Sequence, residues 1–165
     1  MGMRVGLGFD THRLEAGRPL LLGGVSIVSE RGCVGHSDAD ALIHAICDAL
    51  LGAANLRDIG CHFPDTDPKY KGADSRTLLR ECCRLVRGKD WEIVNIDSVL
   101  VIQEPKINPY VPAMQKQLAS VMGIEEEAVS IKVKTSERLG FIGRCEGVSV
   151  QAVVLLEKNE KTAEK

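Results

Sequence analysis

Met3-Arg4-Val5-Gly6-Leu7-Gly8-Phe9-Asp10-Thr11-His12 is the stretch whose reading decides the fold. Val5, Leu7, Phe9 and Thr11 alternate with Arg4, Gly6, Gly8, Asp10 and His12, and a period of two is the signature of a strand. The apolar set Val5, Leu7 and Phe9 is expected to face the core. Asp10 and His12 then project together from the opposite face, roughly 7 Å apart at the backbone. Gly6 and Gly8 leave room beside them.

Working outward, Leu20-Leu21-Leu22 and Val25-Ser26-Ile27 flank Gly23-Gly24 as a hairpin-like region. Asp38 to Ala54 reads as a helix that Ser37 or Asp38 can cap. Leu42, Ile46, Ala49, Leu50 and Ala53 form its apolar stripe. Asp58 to Gly72, rich in Pro, Gly and Asp, reads as a long loop of the kind that binds ligands. A second helix is expected from Asp74 to Val86 and a long strand from Trp91 to Gln103. Asn108-Pro109 opens a helix to about Met122, with Asn108 as its cap. A short helix near Glu125 to Ala128, a strand from Ser130 to Thr135, a turn at Gly140 to Gly143 and a strand from Gly147 to Leu156 complete the order. Helices alternating with strands give an α+β sandwich with helices on one face of a mixed sheet. One domain is expected over residues 1–157, with a charged, frayed tail at 158–165.

Composition narrows the function classes. At 165 residues the chain can bury a core without disulfides. A formal net charge of -2 gives no electrostatic case for nucleic acid. No apolar run is long enough to span a membrane, and the start of the chain lacks a signal-peptide layout. The six cysteines form no Cys-x-x-Cys pair and read as reduced thiols of a cytoplasmic protein.

The chemistry concentrates in a few segments. Asp10, His12 and His44 are a carboxylate and two imidazoles, a set that zinc accepts with a fourth position open. His44 shares a polar helix stripe with Ser37, Asp40 and Asp48. Asp40 or Asp48 is placed to hold the second ring nitrogen or a substrate hydroxyl. His36 and Ser37 precede the helix, where free N–H groups suit phosphate. The loop His62-Phe63-Pro64-Asp65-Thr66-Asp67 offers carboxylates, and Lys106 lies in a loop after the long strand. Thr135-Ser136-Glu137 sits at a strand end and suits a diphosphate with a divalent cation. Each segment also has a plainer reading: a solvated sheet face, a capped helix, Asx-turns before proline. By residue type alone, the trio serves a zinc-dependent phosphohydrolase as well as any other phosphate chemistry.

Taken together the segments resemble the 2-C-methyl-D-erythritol 2,4-cyclodiphosphate synthase family. The likeness rests on Gly8 to Arg13, Gly35 to Asp40 with His44, Asp58-Ile59-Gly60, Phe63 to Pro68 with Lys71 to Ser75, Pro105-Lys106, and Thr135 to Gly147, in the family's order. The length fits the stand-alone enzyme of that family. The resemblance implies cyclisation of 4-diphosphocytidyl-2-C-methyl-D-erythritol 2-phosphate with release of CMP. It implies zinc on Asp10, His12 and His44, and a second ion, Mg2+ or Mn2+, on Glu137. It makes His36 and Thr135 the transition-state stabilisers and Asp48 the partner of the methylerythritol hydroxyls. Ser37, Asp58, Ile59, Gly60, Phe63, Pro64, Asp65, Thr66 and Asp67 become substrate contacts, as do Lys134 and Ser136. Ile102, Gln103, Glu104, Pro105, Lys106, Ile107 and Asn108 become the cytidine-side segment. Lys134 departs from the small or hydroxyl residue that many members carry. The resemblance further implies a homotrimer with sites between subunits, and an isoprenoid diphosphate in a central cavity near Phe141 and Arg144.

Overall fold

The computed structural model describes residues 2–159. Strand β1 (Met3–Ala16) is the axis of the molecule. Its neighbours fall in the order β4-β1-β7-β5-β6 in a five-stranded sheet. These are β4 (Arg31–Val34), β5 (Trp91–Val101), β6 (Val129–Lys134) and β7 (Gly147–Lys158). Only the β5–β6 pair is parallel, so the sheet is mixed. β2 (Leu20–Leu22) and β3 (Val25–Ile27) form the expected hairpin apart from it. β7 runs one residue past the expected domain end, since Lys158 donates its backbone N–H to the Gly2 carbonyl. The remainder of the expected tail, from residue 160, lies outside the described residues.

The helices are α1 (Ala41–Ala53), α2 (Ile59–His62), α3 (Ser75–Arg87), α4 (Val111–Met122) and α5 (Gly140–Gly143). α2 and a 3-10 turn at Pro68–Tyr70 interrupt what reads in sequence as an open loop. Another 3-10 turn, Asn108–Tyr110, precedes α4, and no side-chain cap bond is made there. β4 has no signal in the sequence reading: its four residues are too few for an alternation to stand out.

The two faces of β1 are the reverse of the expectation. Val5 is 69% exposed, Leu7 68% and Phe9 56%, while Gly6 and Gly8 are buried. The reason is close packing by α1. A Cβ on Gly6 would overlap the carbonyl oxygen of Ala49, and one on Gly8 that of Ala45. Two strand residues rise roughly 6.8 Å and four helix residues roughly 6 Å, so the glycine steps and the alanine steps keep pace. Backbone meets backbone without an apolar layer between. The same row continues into Asp10 and His12 on the strand, and back along α1 towards His44.

α1 is buried nearly all round rather than striped. Ala41, Ile43, Ala45, Cys47 and Leu51 join the expected apolar set in the core. Its cap is Asp40, not Ser37 or Asp38, and the Asp40 carboxylate accepts from Ile43 N at 3.0 Å.

Candidate metal and phosphate site

β1 and α1 bring the three candidate ligands together. His12 Nδ1 lies 3.0 Å, and His44 Nδ1 3.3 Å, from Asp10 Oδ2. One donor atom from each residue falls within 4.8 Å of the others. Asp10 Oδ2 and His12 Nδ1 are buried yet have no hydrogen-bond partner among the described residues. Buried polar atoms are normally satisfied. Two orphaned donor atoms converging with a third fit a metal ion, and an N, N, O set with room for a fourth ligand suits zinc. Burial alone would push the Asp10 carboxyl up, but the imidazoles of His12 and His44 outweigh it and hold it at about 2. Asp10 is therefore an ionised ligand across the physiological range. Burial works against charging His44, yet Asp10, Asp40 and Asp38 push its pKa up.

The two histidines of the trio open on a cavity of about 320 Å³. His12, His36, Ser37 and His44 line one side, and Ile59, Gly60, Phe63, Pro64 and Asp65 the other. Tyr70 and Leu78 complete it, and neither is singled out by its sequence context. Phe63 and Tyr70 meet edge to face at 5.4 Å, which fixes that wall. His36 is anchored by Nε2 at 3.2 Å from the Asp67 carbonyl oxygen. Asp58 caps α2 by accepting from Cys61 N at 3.1 Å. Asp67 caps the following 3-10 turn by accepting from Lys69 N at 2.9 Å. The loop aspartates thus shape the wall through Asx-type caps.

Neither Asp40 nor Asp48 holds the second ring nitrogen of His44. Asp40 is fully buried and accepts from Gly23 N, Gly24 N and Ile43 N, so it staples the β2–β3 turn to α1. Burial raises its pKa against those three N–H groups. Asp48 accepts from Ile59 N at 2.8 Å and ties α2 to α1. The second nitrogen of His44 is held instead by Ser37 Oγ and Ser75 Oγ, each at 3.0 Å. Ser75 as a partner of His44 is missed by the sequence reading, because the contact crosses 31 residues.

The remaining candidates gather elsewhere. Ile102 N donates to the Lys134 carbonyl at 3.0 Å, and Arg138 N to Gln103 Oε1 at 3.1 Å. Thr135 Oγ1 and Glu137 Oε1 are 3.0 Å apart on the surface of this second cluster. Glu104, Pro105 and Lys106 line a separate groove of about 830 Å³. Ile102 and Ile107 are core residues, so their side chains cannot meet a ligand and only their backbone remains for the expected contact. Phe141 packs near Gly147, and Arg144 is held by Glu146 through two 3.0 Å bonds. Thr11, Ser149, Val101 and Lys134 lie in register across four strands. Three strand spacings separate the Thr135 cluster from the metal trio by roughly 14 Å at the backbone. One chain does not join them.

The YgbB family matches residues 3–157 of this sequence. The chain belongs to the YgbB family. A relative in Laribacter hongkongensis, a 2-C-methyl-D-erythritol 2,4-cyclodiphosphate synthase, is 57% identical over 95% of this chain and 97% of its own. A solved synthase of the same name in its CDP-bound form is 43% identical with a TM-score of 0.86, covering 93% of this chain and 100% of that one. The bifunctional IspDF of Campylobacter jejuni gives a TM-score of 0.92 at 43% identity, over 95% of this chain and 42% of that protein. A YgbB-family chain with such relatives is an enzyme of isoprenoid synthesis, and the relatives lend the hydrolase alternative no support.

Proposed function

We propose that the chain converts 4-diphosphocytidyl-2-C-methyl-D-erythritol 2-phosphate to 2-C-methyl-D-erythritol 2,4-cyclodiphosphate and CMP. The observation that carries this reading is the convergence of Asp10, His12 and His44, with two orphaned atoms, on a cavity flanked by His36 and Ser37. An oxygen of the substrate's 2-phosphate forms a bond to the β-phosphorus. The bond from that phosphorus to the α-phosphate bridging oxygen breaks, and its electron pair leaves with CMP. The substrate brings its own nucleophile, so no activated side chain is required. Burial pushes the Cys33 and Cys83 thiols up to about 12, which leaves these two far from reactive.

Zinc held by the trio supplies Lewis acidity at the β-phosphate when bound. His36 and Thr135 stabilise charge on the phosphates, and Asp48 takes the methylerythritol hydroxyls with the oxygen not bonded to Ile59. Glu137 would hold a second divalent ion, Mg2+ or Mn2+, which would offset phosphate charge. The roughly 14 Å gap between the two clusters favours a homotrimer in which a neighbour's Lys134–Glu137 and Ile102–Asn108 segments close each cavity. CDP binding by the solved relative favours a cytidine pocket there. An isoprenoid diphosphate in a central cavity would compete with Glu146 for Arg144. We place the chain in the cytoplasm, on its free cysteines. No helix among the described residues is long and apolar enough to cross a membrane.

The test is 31P NMR of the substrate incubated with protein and divalent metal. CMP with a cyclic diphosphate supports the proposal, and linear hydrolysed phosphates overturn it. His12→Ala should release zinc, checked by elemental analysis. Thr135→Ala should lose turnover and keep zinc. Mixing inactive His44→Ala and Thr135→Ala chains should restore part of the activity, since some interfaces then hold two intact halves. No recovery after verified subunit exchange would exclude shared sites.

A further inference from the structure

His44 is fastened through the buried Ser75 to Asp38, so a ligand on α1 is tied to the start of α3. We infer that Ser75 and Asp38 are positioning residues for the metal site, fixing the tautomer and ring plane of His44. This inference rests on the reading of Asp10, His12 and His44 as metal ligands.

The direction of each hydrogen bond follows by elimination. Ser75 is fully buried at the first position of α3. Its backbone N donates to Asp38 Oδ2 at 2.9 Å, and its Oγ is hydrogen-bonded to Asp38 Oδ1. The Asp38 carboxylate oxygen accepts, so the Ser75 hydroxyl proton is committed to Asp38. The Ser75 oxygen can then only accept from His44 Nε2, 3.0 Å away. A bare Nε2 would set two lone pairs against each other. His44 must therefore carry its neutral-state proton on Nε2, which leaves the Nδ1 lone pair facing Asp10 and His12. That is the tautomer a metal requires on this side. Ser37 Oγ, also 3.0 Å from Nε2, accepts from Ala39 N at 3.3 Å. It remains compatible with the same tautomer and stays on the cavity wall.

Asp38 is itself held. Asp40 N donates to its Oδ1 at 3.2 Å, and its backbone N donates to the Ala73 carbonyl at 3.0 Å. The relay His44–Ser75–Asp38 thus links α1, α3 and the segment before α1 through atoms that do not touch the metal. Partners of this kind orient ligating histidines, and losing one typically weakens metal binding by about 10–100-fold.

The experiment uses the full chain. Zinc affinity is measured by chelator competition for wild type, Ser75→Ala, Ser75→Thr and Asp38→Asn, with the fold checked by circular dichroism. We expect Ser75→Ala to bind zinc about 10–100-fold more weakly at unchanged stoichiometry. Ser75→Thr, which keeps the hydroxyl, should recover affinity if it folds. Long-range 1H–15N spectra of the zinc-loaded protein should show the His44 Nε2–H proton in wild type. In Ser75→Ala that proton should exchange faster and shift. A role confined to starting α3 would lower stability without moving the His44 resonances. Wild-type affinity together with an unchanged His44 spectrum in Ser75→Ala would overturn the relay. Failure of wild type itself to bind a metal would instead overturn the metal site.

Discussion

The inner and outer faces of β1 are built from alternate residues of one strand and do opposite jobs. The inner face carries Gly6, Gly8, Asp10 and His12, the outer face Met3, Val5, Leu7 and Phe9. A reader of hydrophobicity alone puts the apolar set inside. The structure puts glycine inside, because α1 comes so close that only a hydrogen atom fits between the backbones. The apolar row is left uncovered beside Val153 of β7, in register with Leu7. A contiguous exposed apolar strand face is the mark of a surface that meets another protein. The ligand row and the uncovered apolar row thus alternate along the same strand, one residue out of phase.

The severest way to break this arrangement is Gly8→Ala. The new Cβ overlaps the Ala45 carbonyl, so α1 must move as a body. Overpacking against backbone should destabilise by about 3 kcal/mol or more. For a chain of this size that lowers the melting temperature by roughly 6–12 °C. Because α1 carries His44, zinc affinity should fall with it. Thermal unfolding within about 0.5 kcal/mol of wild type would show that the inner face is not backbone-tight.

Asp40→Ala comes next. It removes the cap of α1 and strands the N–H groups of Gly23 and Gly24 away from a carboxylate. Lost capping and unpaired buried donors together should cost about 2 kcal/mol, read from the urea midpoint. If a catalytic rather than structural carboxylate stands here, activity falls while the midpoint holds.

On the outer face, the double change Val5→Glu with Leu7→Glu should act differently. Unfolding of the single chain should change by no more than about 0.5 kcal/mol, as for other exposed positions. The proposed homotrimer, measured by sedimentation, should fall apart, and turnover should fall with it. A persisting trimer would remove the outer face of β1 from the interface.

How much of this was legible in the sequence depends on what periodicity carries. It identifies residues that share a face, so Asp10 and His12 could be paired, and a resumed helical period started α3 at Asp74, which the structure makes its cap. It does not say which face meets the helix. The clue was the spacing of Gly6 and Gly8, since glycine within a strand often marks a close backbone approach. Asp40 looked like part of a polar stripe with His44, but a side chain on that stripe can also turn back to the β2–β3 loop. Ser75 was unreadable as a partner of His44, because nothing local links them. The Thr135 cluster could be placed on a strand end from its composition. Its separation from the metal trio emerges only from strand order, which no local pattern encodes.

The smallest expected effect tests the outer face most finely. Asp97 stands in register with Val153 and Leu7, and pairs with Lys132 on the same face. The Lys132 ammonium holds the Asp97 carboxyl below its ordinary 3.8. A depressed carboxylate stabilises the fold above its ordinary value, and that contribution is lost as pH falls through the folded value. In the dissociated Val5→Glu, Leu7→Glu background the pair is exposed, so Asp97→Asn should cost about 0.5 kcal/mol at pH 7. The gap should close below about pH 4 and shrink in high salt. If the proposed homotrimer covers this face, the same change should cost more in the wild type, because removing one partner of a covered pair leaves the other charge uncompensated. Urea titrations at pH 7 and pH 3 in both backgrounds make the comparison. An equal gap in both would mean that the outer face of β1 is open to water in the wild type as well.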